Sequence, residues 1–143
     1  MRIDRGGTLV YAEWPEMEAV LGSVQVLKTD AVEGELVTGS ADIRAAAKRL
    51  HELGPREIVL THRDGVLVYD GDQFHGAGFF PKKIVGRSGR GDTCIAAYMA
   101  SRLNASPPEA TIWAAAVTSL KMEAEGPFRR DISEVERLIE EKY

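Results

Sequence analysis

The sequence predicts an α/β domain with a mainly parallel sheet, and three observations carry that reading. Short β-type runs alternate with helical stretches of about 10–15 residues. One run, GVLVYDGDQFHGAGF, has the pattern of a hairpin and adds an antiparallel element. A glycine-rich loop, GRSGRGDTC (Gly86–Cys94), feeds directly into a helical pattern.

Taken in order, GTLVYAEW (Gly7–Trp14) reads as a short strand and PEMEAVLGS as a helix opened by Pro15. VQVLKTD (Val24–Asp30) reads as a strand that delivers Thr29 and Asp30 to its carboxyl end. AVEGELVTG is a short helix with Gly39 as its C′ residue. Ser40 is placed to cap the next helix, in which Ile43, Ala47 and Leu50 recur at helical spacing until Gly54-Pro55 stops it. EIVLTH (Glu57–His62) is strongly β-type, and Asp70-Gly71 or Gly71-Asp72 turns the hairpin.

Beyond the glycine loop, Ile95, Met99 and Leu103 recur every fourth residue, as in a helix. Ser106-Pro107-Pro108-Glu109 combines an N-cap, first-turn prolines and a capping-box glutamate. The following ATIWAAAVTSLKM is apolar nearly all round, so it predicts a buried helix, with Trp113 in the core. Asp131-Ile132-Ser133-Glu134 repeats the capping box, and Ile132, Val135, Leu138 and Ile139 give the last helix one apolar face. No repeat, low-complexity tract or interior linker divides the chain, so residues 1–143 read as one domain.

Composition excludes several function classes. The chain has 143 residues, 44% hydrophobic and 28% charged, which suits a soluble domain with a real core. A net charge of −4 argues against nucleic acid as a partner. No run approaches the roughly 20 apolar residues of a membrane helix, and the N-terminus has no signal-type apolar region. A single cysteine, Cys94, excludes an internal disulfide framework and fits a reducing, cytoplasmic setting. His51, His62 and His75 do not fall at metal-ligand spacing with Cys94. Trp14 sits in an apolar context and reads as core.

The chemistry concentrates in the glycine loop. Gly86 and Gly91 have the spacing of the phosphate loop G-x-x-x-x-G-K-[ST], but Asp92 stands in the lysine's place with the opposite charge. An ordinary phosphate clamp is therefore excluded. The tripeptide Arg90-Gly91-Asp92 would serve adhesion only in an exposed extracellular loop, which the single cysteine disfavours. Glycines before a helix expose backbone N–H groups to an anion, and the helix dipole adds to them. A carboxylate beside such a hole can take a proton from a hydroxyl that attacks the bound phosphate. Equally, Asp92 could simply cap the helix.

Several stretches in order resemble the PfkB family of ribokinase-like sugar and nucleoside kinases. GRSGRGDTCIAAYMASRL resembles its D-T-x-G-A-G-D signature, with Gly89, Arg90, Gly91 and Asp92 on the G-A-G-D element. TDAVEGELVTG resembles its N-x-x-E segment, with Asp30 in the Asn place and Glu33 on the glutamate. IVLTHRDGVLVY is similar to the family's strand-turn-strand beside the nucleotide, with Thr61 and Gly65 in place. AAAVTSLKMEAEGPF resembles its late helix and loop, which sets Gly126 near the base.

The resemblance implies a three-layer αβα ribokinase-like fold and an ATP-dependent phosphotransferase acting on a hydroxyl of a sugar or nucleoside-like acceptor. It implies Asp92 as base, the Gly89–Gly91 loop with Arg90 as anion hole, and ATP lined by Asp30, Thr61, Gly65 and Gly126. Glu33 would help hold Mg²⁺. Gly86 replaces the signature's first aspartate, a residue linked in many members to a monovalent-cation site. Arg87 and Arg90 replace a threonine and an alanine, and either supports the phosphates or is merely solvated. His62 stands where a glycine is usual. Only the family's C-terminal half is matched, so a truncated domain is expected, with self-association or a separate N-terminal half completing it. The alternative is a nucleotide-binding or assembly module without catalysis of its own.

Overall fold

The computed structural model describes residues 2–3, 5–10 and 14–143. Two short strands, β1 (Arg2–Ile3) and β2 (Leu9–Val10), pair antiparallel and stand apart from the main sheet. Part of the strand expected up to Trp14 lies outside the described residues, and Trp14 itself is exposed rather than in the core. Helix α1 (Met17–Leu21) begins two residues after Pro15.

The main sheet is built from β3 (Val26–Asp30), β4 (Glu57–Thr61), β5 (Gly65–Tyr69) and β6 (Phe74–Gly78), in that spatial order. Between β3 and β4 the chain crosses over through α2 (Ala31–Thr38) and α3 (Ile43–Glu52), so these two strands run parallel. The short links from β4 to β5 and from β5 to β6 permit only antiparallel pairing. The sheet is therefore mixed rather than mainly parallel. Then follow α4 (Arg90–Arg102), α5 (Pro107–Lys121) and α6 (Ile132–Lys142).

Alternation along the strands makes the three layers. Ile58, Leu60 and Tyr69 meet Ala46, Ala47 and Leu50 of α3 in one cluster. Val59, Val66, Val68 and Ala77 meet Cys94, Tyr98, Ala114 and Val117 of α4 and α5, with Val135 and Leu138 of α6 behind, in the other. Trp113 packs half-buried against this second cluster, whereas Ile132, expected on the same apolar face, is exposed.

Helix starts follow their sequence signals with one exception. The capping boxes Ser106/Glu109 and Asp131/Glu134 both form. The third helix is capped not by Ser40 but by Asp42, whose Oδ1 accepts the amides of Arg44 at 2.9 Å and Ala45 at 2.8 Å. At the far end of the sheet, the buried Tyr98 donates its hydroxyl to Glu57 at 2.6 Å and Arg102 pairs with the same carboxylate at 2.6 Å. This ties the body of α4 to the first residue of β4. Burial disfavours the Glu57 charge, but the bonds from Arg102 and Tyr98 outweigh it and lower its pKa.

Gly65 opens β5 where the two hairpin strands nearly touch: a Cβ there would lie 2.4 Å from the Ala77 carbonyl oxygen. Gly65→Ala should therefore cost about 1–3 kcal/mol through overpacking, seen as a melting temperature lower by roughly 3–10 °C.

Asp70 closes the next turn. Its Oδ1 accepts the amides of Asp72 at 2.9 Å and Gln73 at 2.7 Å, and Oδ2 meets His75 Nε2 at 2.7 Å. Burial opposes its charge, but the His75 bond and these amides prevail and bring its pKa from 3.8 down to about 2. A depressed carboxylate stabilises above its unfolded pKa and loses that contribution as pH falls. Urea midpoints should thus drop between pH 3.8 and about 2, and Asp70→Asn should flatten that part of the profile.

Candidate active site

The glycine loop folds as the sequence suggests and delivers the first turn of α4 to the carboxyl end of β3 and β4. Gly89 is the N-cap, in the left-handed region at φ 72°, which only glycine enters without strain. The Arg90 amide turns back to the Arg87 carbonyl at 3.1 Å, and the Thr93 amide starts the helix ladder on Gly89 at 3.0 Å. Between them, the amides of Gly91 and Asp92 have no acceptor among the described residues. Of the three amides expected to face an anion, Arg90's N–H is already used, while Gly89's, like Gly91's, has no acceptor among the described residues.

Asp92 sits in the third helical position, exposed, with no hydrogen bond or ion pair among the described residues. It does not cap its own helix. Its side chain borders two open recesses. One, of about 300 Å³, is lined by Lys28, Asp30, Thr61, Arg87, Arg90 and the loop glycines. The other, of about 430 Å³, is lined by Ser88, Gly89, Thr93, Lys121 and Gly126, among others. A third, of about 220 Å³, lies under the hairpin turn, lined by Arg63 with its partner Asp64, by Arg87 and Arg90, and by Phe79 and Met122 among others. Arg90 borders two of the three and rests over the Phe79 ring at 5.9 Å, so it is seated rather than freely solvated. Arg87 is exposed and borders the same two.

The other expected residues divide. Thr61 is buried at the end of β4, its hydroxyl 3.5 Å from the Thr29 carbonyl, and it reaches the 300 Å³ recess. Asp30 reaches the same recess while capping α2: its Oδ1 accepts the Glu33 amide at 2.9 Å, and Glu33 Oε2 accepts the Asp30 amide at 3.0 Å. The pair is a capping box, a pattern the spacing D-A-V-E would have revealed. Glu33 borders none of the three recesses, and among the described residues no group of three metal-ligating side chains forms. Gly65 borders none of the three either, whereas Gly126 borders the 430 Å³ one, so these two glycines do not share a cavity. His62, in a glycine's place, accepts the Asp64 amide on Nδ1 at 3.4 Å and holds its turn that way.

Two lysines were not singled out by sequence. Lys28 lies on β3 with its Nζ 3.9 Å from Glu33 Oε2 and 2.7 Å from the point where Gly91 would carry a Cβ. Its ammonium therefore packs against Gly91. Lys121, at the end of α5, is 4% exposed. Each reads in sequence as an ordinary strand or helix residue, and only the tertiary fold brings it to the loop.

A mixed α/β sheet with a glycine-entered helix whose first amides are unpaired is an arrangement that suits a bound anion. Comparison with known proteins gives the family. Residues 8–129 match the model of the pfkB family carbohydrate kinases, and the chain belongs to that family. It is 30% identical over 96 residues to a cytidine kinase of Thermococcus kodakarensis, covering 65% of this chain and 34% of that protein. A pyrophosphate-dependent kinase of the ribokinase family, solved with a pyrophosphate analog and myo-inositol, superposes with a TM-score of 0.84 and 38% identity over 93% of this chain and 48% of its own. The Arabidopsis thaliana ribokinase complexed with ribose and ATP gives 0.77 and 25% over 85% of this chain and 43% of its own. The chain thus spans about half the length of these structural relatives and a third of the curated one. Among the described residues, no helix is long and apolar enough to cross a membrane.

Cys94, two residues beyond Asp92, is fully buried, and desolvation pushes its thiol up to about 11 despite a bond from Thr118 and nearby cations. It should resist iodoacetamide at pH 8 in the folded protein and react at the ordinary rate in urea, followed by intact-mass analysis.

Proposed function

We propose that this chain is the donor-binding, catalytic half of a kinase that moves a phosphoryl group from a polyphosphate donor to a hydroxyl of a sugar, polyol or nucleoside. One observation carries the reading: the unengaged Asp92 carboxylate stands beside two unpaired amides, with the ammonium of Lys28 packed against Gly91. In this reading the Gly91 and Asp92 amides and Lys28 hold the transferring group, whose oxygens carry the negative charge. The acceptor oxygen forms its bond to phosphorus as the bond to the donor's bridging oxygen breaks. Asp92 takes the hydroxyl proton, and the donor leaves as its shortened phosphate.

The donor has two readings. The resemblance favours ATP, with Mg²⁺ carried on its phosphates and waters and with Glu33 as the nearby protein carboxylate; one carboxylate plus phosphate oxygens suits that ion. A second reading, pyrophosphate, is supported by the three arginines lining the 220 Å³ recess and by the 38% identity to a pyrophosphate-dependent kinase. The acceptor side is completed by a complementary half or a second copy. The single buried cysteine suits a reducing cytoplasm.

The chain, alone and with a complementary N-terminal half, should be assayed by phosphorus NMR with ATP-Mg²⁺ or pyrophosphate against myo-inositol, ribose and cytidine. Turnover with one donor is expected, and Asp92→Asn should lower it by about 10²–10⁴-fold while leaving donor affinity within experimental error. Donor binding without turnover on any acceptor would instead show a non-catalytic module.

A further inference from the structure

Lys121 is an unusual residue to bury. It is 4% exposed, its Nζ has a single hydrogen bond, to the Ala124 carbonyl at 3.4 Å, and it joins no ion pair among the described residues. An ammonium has three donors, and enclosing it with one long bond costs the fold free energy. That expense points to a use beyond packing. Its Cε lies 3.9 Å from the point where Gly89 would carry a Cβ, and it borders the recess shared by Ser88, Gly89, Asp92 and Thr93.

The residue opposite it is informative. A Cβ on Gly86 would lie 3.8 Å from the carbonyl oxygen of Ala124, the same oxygen that Lys121 approaches. Position 86 is where the family signature places an aspartate linked to a monovalent cation. Here position 86 has no carboxylate of its own, Glu125 Cγ lies 3.6 Å from where its Cβ would be, and a covalently attached cation approaches the same Ala124 carbonyl. Both features have one sense: the signature's own anionic ligand is lost, and a fixed positive charge stands at the neighbouring carbonyl.

We propose that Lys121 is a tethered cation that replaces a bound monovalent ion. Its ammonium holds the Gly89 loop from beneath and keeps the Gly91 and Asp92 amides aimed at the phosphoryl group. It is a positioning residue, and the proposal rests on the phosphotransfer reading above.

The test titrates the chain calorimetrically with pyrophosphate and with ATP-Mg²⁺, in potassium chloride and in tetramethylammonium chloride at equal ionic strength, alongside thermal melts. Wild-type affinity should be the same in both salts. Lys121→Met should bind about tenfold more weakly yet melt at a higher temperature, because an uncompensated buried charge has gone. Lys121→Arg should retain binding. Lys121→Ala, which leaves room for an ion, should bind weakly in tetramethylammonium and recover in potassium. Wild-type binding that requires potassium overturns the proposal. So does a methionine variant that binds like wild type, or one that melts lower. If the wild-type chain binds neither donor, the phosphotransfer reading falls as well. Normal binding in the methionine variant removes the role of Lys121 alone.

Discussion

Two amide hydrogens at the start of α4, those of Gly91 and Asp92, with no acceptor among the described residues, are the constraint around which this site is organised. A helix must leave its first N–H groups unpaired unless a side chain turns back to cap them. At α2 and α3 such a side chain is supplied, by Asp30 and Asp42, and at α5 and α6 a glutamate three residues on, Glu109 or Glu134, turns back to hold the amide of Ser106 or Asp131. At α4 the N-cap is a glycine that has no side chain to offer, and the nearby carboxylate, Asp92, faces outward. The start of this helix borders the three recesses that Arg87, Arg90 and Asp92 line. Gly91 extends the same logic. A methyl there would displace only the flexible end of Lys28, so the backbone would survive and the ammonium would move. The glycine seats a charge rather than permitting a turn.

The Asp30–Glu33 box shows how one pair can serve structure and site together. Each carboxylate is held by the other residue's amide, which fixes the start of α2 and with it the end of β3. Lys28, two residues before Asp30 on the same strand, then has a defined origin from which to reach over α4 and stay within 3.9 Å of Glu33. The cap contributes on the order of 1 kcal/mol to the helix. Its larger consequence is positional, because the lysine cannot be placed until the strand end is.

Much of this was legible in the sequence, for physical reasons that can be traced. Capping boxes, the left-handed C-cap at Gly39 and the hairpin turn are local, set by residues within four positions, and these features formed as read. The glycine loop was legible for the same reason. Strand pairing was less so, because alternation shows which face is buried but not which strand lies beside which; only the short links decide it. Lys28 and Lys121 were invisible, since nothing in a β-run or in an alanine-rich helix shows that its one lysine will point at a loop 60 residues or 30 residues away. Trp14 was misread because local apolar context was taken for burial.

The charge distribution links the site to the edge of the sheet. The chain as a whole carries −4, yet Lys28, Arg87, Arg90 and Lys121 surround the first turn of α4, with Arg63 beyond them. These side chains give the loop a local positive charge that the net charge does not reveal. β3 is the outermost strand of the main sheet, and Lys28 and Asp30 stand at its site end. A strand added along that edge would end beside the recess that Asp92 borders. On the proposed function, a partner strand that satisfied the backbone of β3 would therefore also stand next to Asp92.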